Sequence, residues 1–295
     1  MGTLEPLDWI HPREREHKAV YRAYLFGPFR VFRGDEALGQ RSQRREKAQL
    51  LLKWFLLNQG QPRSIDELIE LAFPAAAPDK AASSFHVAMH CLRRMLEPDL
   101  RPGEESSYIR RSSNNFYRFE ADSEWWTDTA EVDRLFDQGR TSDSRGDAQR
   151  ACFYYGQVVG HMNRRLLEDD SPQPWLTPYR RRYQALQREA LLRLVQIHGE
   201  RGQIDESLEY AHQMLIGDPY NELAVTTIVE ADLAYGRLAH ARHRISAFLD
   251  ALTHDLGIAP SHGLLTLRAR VRQDVPHPPR GEVQLELAAT SSRAG

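Results

Sequence analysis

The chain has 295 residues, of which 41% are hydrophobic and 27% charged, and its formal net charge at pH 7 is −2. This length suggests about two domains, and the composition is that of an ordinary soluble protein. No apolar run approaches the roughly 20 residues that a membrane-spanning helix needs, and the N-terminus lacks the apolar segment of a secretory signal. We therefore expect a cytoplasmic protein that has no membrane partner.

The charge is distributed unevenly along the chain. Residues 1–120 carry 19 lysines and arginines against 16 acidic residues, a net +3, and the remainder carries 20 against 25, a net −5. This asymmetry is compatible with a first half that binds nucleic acid, but it does not establish one.

The first part of the chain predicts short strands followed by helices. Residues 1–20 are polar and are expected to form a flexible arm. Residues 21–33, rich in aromatic and β-branched side chains, indicate a strand pair or a bent strand. Residues 44–59 have helical apolar spacing. Ser64-Ile-Asp-Glu67 is a capping box that opens a second, short helix.

Residues 83–96, SSFHVAMHCLRRML, predict a third helix with two contrasting faces. At about 100° per residue, one side forms an apolar stripe of Phe85, Met89, Leu92 and Leu96. The other side carries Ser83, His86, His90, Arg93 and Arg94. Taken alone, this polar face is most simply a solvated one. A metal site at the i, i+4 pair of histidines would need a third ligand, which the neighbouring sequence does not offer.

A β-hairpin is predicted after this helix, because two strand-like segments, 108–111 and 116–120, flank a Ser-Ser-Asn-Asn turn. Strands, three helices and a hairpin, in this order over residues 21–120, are the order of a winged helix. In that fold the third helix enters the major groove of DNA and the hairpin reaches the phosphate backbone or the adjacent minor groove. Arg110 and Arg111 give the hairpin the right charge.

From residue 127 the pattern becomes helix after helix, with an internal repeat. A Gly-x-x-x-x-small motif occurs at 146–151, 202–207 and 236–241, and the last two are 34 residues apart. This is the period of tetratricopeptide helical hairpins. We predict stacked helical hairpins over residues 127–272 and a disordered tail at 273–295.

Sequence motifs of catalysis and cofactor binding are missing. No phosphate-binding loop, GxGxxG, HExxH or paired CxxC occurs, and Cys91 and Cys152 have no pairing or metal-binding spacing. The chain is therefore predicted not to be an enzyme, to have no metal site or cofactor, and to work in a reducing compartment.

The ordered segments resemble the Streptomyces antibiotic regulatory protein (SARP) family. FGPFRVFRGDEAL, the helix at 44–59, RSIDELIELAF and FHVAMHCLRRML are similar to its OmpR-type winged helix. Pro174-Trp175, GQIDESLEYAHQMLIGDPYNELA and the region around LGIAPS at 256–261 are similar to its bacterial transcriptional activation domain. The resemblance covers about residues 22–272. It implies a mostly α fold, an OmpR-type winged helix-turn-helix followed by an all-α tetratricopeptide-like helical-repeat domain.

The resemblance implies a bacterial transcriptional activator that binds direct repeats in double-stranded promoter DNA and contacts RNA polymerase. It carries DNA contact onto His86, His90, Arg93 and Arg94 of the helix and onto Arg110, Arg111 and Asn114 of the hairpin. The loop 74–79 corresponds to a segment that related winged-helix regulators use toward polymerase. Binding as a homodimer stays open. The alternative function is a protein-interaction scaffold that uses the helical repeats and binds DNA weakly or not at all.

One departure from the family concerns base preference. His90-Cys91 stands where the family usually has a polar residue followed by arginine, so the DNA sequence recognised is expected to differ from that of relatives.

A second basic group lies within the predicted repeats: Arg164, Arg165, Tyr179, Arg180, Arg181, Arg182 and Tyr183. Interleaved arginine and tyrosine can hold a phosphate and stack a base, which leads to the hypothesis of an anionic effector such as a nucleotide. The alternative is that these arginines pair with nearby acids such as Glu168, Asp169 and Asp170.

Overall fold

The computed structural model describes residues 12–38, 43–101, 103–112, 114–121 and 124–273. The elements up to residue 127 are α1 (Pro12–Lys18), β1 (Tyr21–Tyr24), β2 (Arg30–Arg33), β3 (Glu36–Leu38), α2 (Gln43–Leu57), β4 (Arg63–Ser64), α3 (Ile65–Ala72), α4 (Pro78–Leu96), β5 (Ile109–Arg111), β6 (Phe116–Phe119) and β7 (Trp125–Thr127). They are followed by α5 (Asp128–Ser144), α6 (Ala148–His161), α7 (Thr177–Glu200), α8 (Ile204–Gly217), α9 (Glu222–Ala234), α10 (Leu238–Ala251), a π-helical turn (Leu252–Leu256) and α11 (His262–Gln273).

The chain divides into two compact units. One comprises Met1–Arg134 and His161–Tyr183, and the other comprises Leu135–Gly160 and Gln184–Gly295. Within the described ranges, every helix is too short or too polar to span a membrane.

A four-stranded sheet in the order β3-β2-β1-β7 belongs to the first unit. The predicted strand pair is present: β1 and β2 are antiparallel, with Ala23 opposite Val31. β7 runs parallel to β1 on its other edge, with Thr127 opposite Ala23. Tyr21 and Ala23 are both buried, because alternate residues of a strand point to the same side.

The predicted N-terminal arm contains helix α1 rather than being flexible throughout. The Tyr24 hydroxyl of β1 donates a hydrogen bond to the Glu16 carboxylate, which ties this helix to the sheet. Residues 1–11 lie outside the described part of the chain, as does the predicted tail apart from Gln273.

Helices α2, α3 and α4 and a small sheet in the order β4-β6-β5 complete a winged helix. The predicted capping box is formed: the Glu67 N–H donates to the Ser64 hydroxyl, and the Glu67 carboxylate accepts from the Ser64 N–H at 3.0 Å. The predicted stripe Phe85, Met89, Leu92 and Leu96 is buried.

Helix α4 begins at Pro78, inside the segment expected to be a loop. Proline is well suited to the first turn of a helix, where an N–H would have no partner within the helix, so the helix can start five residues before the predicted one.

A buried carboxylate joins the end of β1 to the start of α5. Asp128 accepts hydrogen bonds from the backbone N–H groups of Leu25, at 2.8 and 2.9 Å, and Phe26, at 2.8 Å. Burial raises the pKa of Asp128 to about 7, although these hydrogen bonds favour the ionised form.

The segment between α6 and α7 returns to the same unit. Phe26 and Leu166 form an isolated antiparallel bridge, and the Leu167 N–H donates to the Leu25 carbonyl at 2.7 Å. Lys53 of α2 forms a largely buried ion pair with Asp170 at 2.6 Å. The unit that contains the winged helix therefore also includes residues from beyond α6.

The second unit contains helices that are joined by short turns at glycines. Gly146, Gly202 and Gly236 have φ of 73°, 68° and 72°, the left-handed conformation that favours glycine. The small residues at the ends of the three motifs are buried, namely Ala151, Ser207 and Ala241. Both features agree with the predicted hairpin corners.

The raised pKa of Asp128 predicts a pH-dependent stability. Between about pH 4 and 7 the carboxyl is ionised in the unfolded chain but keeps its proton in the folded one, so its contribution to stability is lost as pH rises through this window. Between pH 5 and pH 8 we expect the free energy of unfolding of the natural chain to fall by about 2–3 kcal/mol more than that of the Asp128→Asn variant. Urea unfolding of both proteins at the two pH values measures this difference.

The matched control is Asp35→Asn, because Asp35 is a fully exposed carboxylate in the β2–β3 turn. It should keep the pH dependence of the natural chain. An Asp128→Asn variant with an unchanged pH dependence would contradict the assignment.

Candidate nucleic-acid interface

The outward face of α4 carries an exposed row of side chains. Ser83, His86, Val87, His90 and Arg94 are exposed, whereas Arg93 is half-buried. The row follows from helical spacing, because residues three or four positions apart share a face. Val87, with 57% of its surface exposed, was not among the predicted contact residues, although its position on the helical wheel could have indicated it.

A buried tyrosine connects α4 to the hairpin. The ring of Tyr117 in β6 is 2% exposed, and the guanidinium groups of Arg93 and Arg111 each lie 5.9 Å from its centroid. Such cation–π contacts are attractive. Arg111 also donates to the Asn115 side chain at 2.6 Å. The aromatic ring thus holds one arginine of the helix and one of the hairpin close together.

The hairpin arginines already have acidic partners. Arg110 lies 3.3 Å from Glu120 and 3.6 Å from Glu105, and all three side chains are at least partly exposed. Ion pairs of this kind contribute at most about 1 kcal/mol, so another anion can replace the carboxylates at little cost.

Several of the predicted DNA-contact residues meet at one cavity of about 350 Å³. Its lining includes Arg93, Arg110 and Arg111 together with Glu104 and Glu105. His86 and His90 lie on α4 away from this lining. Asn114 is exposed in the hairpin turn, next to Asn115, whose φ of 59° is a positive value that asparagine tolerates in tight turns.

The second predicted group of arginines and tyrosines is largely engaged in internal contacts. The Arg180 guanidinium donates to the carbonyl oxygens of Leu166, Leu167 and Asp170 at 2.6–3.0 Å. Arg182 donates to Asp133 at 2.8 Å. Arg180 therefore closes the loop between α6 and α7.

The remaining members of this group differ in exposure. The Tyr179 hydroxyl donates to the Asn58 side chain at 2.6 Å, and Tyr183 is buried, with a pKa well above its ordinary value because of burial. Arg164 pairs with Glu168 at 3.4 Å, and Arg165 donates to the Glu168 carbonyl. Arg181 is exposed. These contacts are of the kind expected if the arginines pair with acids and carbonyl groups. The effector hypothesis stays a prediction.

Among the residues that the structure describes, no group of three histidine, cysteine or acidic side chains is placed to hold a metal ion.

Comparison with known proteins finds a match for the second half of the chain. Residues 127–272 match the family described as bacterial transcriptional activator domain. The regulatory protein AfsR of Streptomyces coelicolor is 23% identical over 265 residues, which cover 90% of this chain and 25% of AfsR. The chain thus spans about a quarter of the length of this relative. These matches confirm the predicted resemblance to the SARP family.

A solved structure shares the fold. EmbR of Mycobacterium tuberculosis, in complex with a low-affinity phosphopeptide, superimposes with a TM-score of 0.69 over 92% of this chain and 70% of its own, at 18% sequence identity. The predicted fold class, mostly α with a winged helix followed by a tetratricopeptide-like helical-repeat domain, is confirmed.

The neighbouring residues Arg180 and Arg181 provide a matched test of what these arginines do. Arg180→Ala would leave three carbonyl groups without their charged donor, so we expect it to lower the free energy of unfolding by about 1.5–3 kcal/mol. Arg181→Ala, at an exposed position, should change it by no more than about 0.5 kcal/mol. Chemical denaturation of both variants measures this, and equal effects would contradict the role given to Arg180.

Proposed function

We propose that this chain is a bacterial transcriptional regulator, an activator that binds promoter DNA through α4 and the β5–β6 hairpin. The observation that carries the proposal is the exposed row of α4, with His86, His90 and Arg94, beside a hairpin that presents Arg110 and Arg111. Histidine and arginine side chains can donate hydrogen bonds to base edges and phosphates. The activator domain at residues 127–272 supports a role in transcription.

The two parts of this interface have different tasks. A helix in the major groove can read base edges, whereas arginines on a hairpin reach phosphates, which fix position but carry no sequence information. Tyr117 supports both tasks, because its ring is in contact with Arg93 of the helix and Arg111 of the hairpin. Small residues Ser83 and Ser84 on α4 allow the helix backbone to approach DNA closely.

The activator domain is the part that would contact protein partners. Helical-hairpin arrays form extended surfaces that bind other proteins, and we assign the contact with RNA polymerase to this domain, with the short loop before α4 as a second contact. Binding to direct repeats and assembly as a homodimer on DNA belong to the same proposal. An anionic effector would use the exposed Arg164, Arg165 and Arg181 rather than Arg180, whose guanidinium is occupied by carbonyl groups.

DNA binding to the region upstream of the chain's own gene tests the proposal. We expect the logarithm of the binding constant to fall linearly with the logarithm of salt concentration. The double variant His90→Ala, Arg94→Ala should weaken binding by about 30-fold or more, since each side chain that contacts a base contributes about 1–3 kcal/mol. Fluorescence anisotropy at several salt concentrations measures both quantities.

The control is Arg188→Ala, which removes an exposed arginine of α7 in the second unit and should leave affinity unchanged. Arg93 is left unchanged in the test variant because it also packs on Tyr117, so its substitution would disturb the fold as well as the interface. If no DNA fragment is retained at low salt, the regulator proposal fails and the protein-interaction scaffold becomes the better explanation.

A further inference from the structure

One residue of the outward face of α4 has a chemistry unlike its neighbours. Val87 exposes 57% of its surface, and the exposed residues around it on the helix are Ser83, His86, His90 and Arg94. These neighbours can form hydrogen bonds or carry positive charge, whereas the two methyl groups of Val87 can do neither. An isolated exposed valine is unremarkable on an ordinary surface. Here it lies in the centre of the row of α4 side chains that contacts DNA in the proposed function.

The position of Val87 makes it a contact residue if α4 occupies a groove. Ser83 lies one turn before Val87 and His90 lies one turn after it, so all three residues share one face of the helix. The buried stripe that begins with Phe85 fixes the rotation of α4. Val87 therefore cannot turn inward without exposing that stripe.

The major groove offers a specific partner for such a side chain. Each base pair presents hydrogen-bond donors and acceptors there, and the one apolar group is the C5-methyl group of thymine. A valine facing cytosine, adenine or guanine would cover polar edges without satisfying them, which costs free energy. Against thymine it would bury methyl against methyl.

We propose that Val87 contacts the C5-methyl group of a thymine in the major groove and makes the protein select thymine at that position of its binding site. This inference rests on the proposed function, since it requires α4 to read DNA. The flanking basic residues provide the charge complementarity that brings this face to DNA, and Val87 provides discrimination among bases.

Deoxyuridine provides a direct test, because it differs from thymidine only in lacking the C5-methyl group. The full chain is first used to select its preferred duplex from a random-sequence pool, and each thymine of that duplex is then replaced in turn by deoxyuridine. We expect one replacement to weaken binding of the natural chain by about fourfold, the effect of burying one methyl-sized group.

The variant Val87→Ser completes the test. It removes both methyl groups at an exposed helical position, where substitutions seldom alter stability, and thermal unfolding checks that the fold is kept. We expect Val87→Ser to bind the thymine and deoxyuridine duplexes equally at that position. Ile216→Ala, which truncates an 86% exposed apolar side chain of α8, should keep the fourfold ratio.

The outcomes separate this inference from the function on which it rests. If the natural chain enriches no DNA and binds none at low salt, the proposed function fails. If it binds DNA but no deoxyuridine replacement weakens binding, or if Val87→Ser keeps the same ratio as the natural chain, only the role of Val87 is overturned.

Discussion

The side chain of Asp128 accepts hydrogen bonds from the backbone at the end of β1, at the point where the chain enters the matched region 127–272. It accepts hydrogen bonds from the N–H groups of Leu25 and Phe26. Without this partner each buried N–H group would destabilise the fold by about 1–3 kcal/mol. Asp128 is also the first residue of α5, and α5 lies at the start of the matched activator domain. The parallel pairing of β7 with β1 brings that residue into place. The winged-helix sheet and the start of α5 are thus parts of one compact unit.

The elements that sequence predicted well are those specified by neighbouring residues. The capping box of α3, the asparagine turn and the three glycine corners each depend on contacts or dihedral angles within a few positions of the chain. Helix α1 and strand β7 were not predicted, because both depend on tertiary contacts: α1 contacts Tyr24 and β7, and β7 pairs with β1. Strand β7 is only three residues long and pairs with residues about one hundred positions earlier, so no local pattern indicates it. The early start of α4 could have been predicted from Pro78.

The candidate site shows the same division between local and distant causes. The sequence correctly divided α4 into buried and exposed faces, because helical periodicity alone decides this. It could not determine how each arginine is used, since that depends on partners brought in by folding. Arg180 and Arg181 are adjacent and chemically identical, yet one binds three carbonyl groups and the other is exposed. Val87 was not among the predicted contact residues, although its exposure follows from the same periodicity.

The charges of the proposed interface bear on which part of it would provide affinity for DNA and which part would provide sequence specificity. The first 120 residues carry a net charge of only +3, and Arg110 shares its charge with Glu105 and Glu120. Phosphate contacts of this strength give a modest affinity that is independent of sequence. In the proposed interface, discrimination would then come from base contacts made by α4. Its outward row combines imidazole, guanidinium and methyl groups, and these three chemistries correspond to different features of the base edges. A weakly charged hairpin and a chemically varied helix together would favour specificity over tight nonspecific binding.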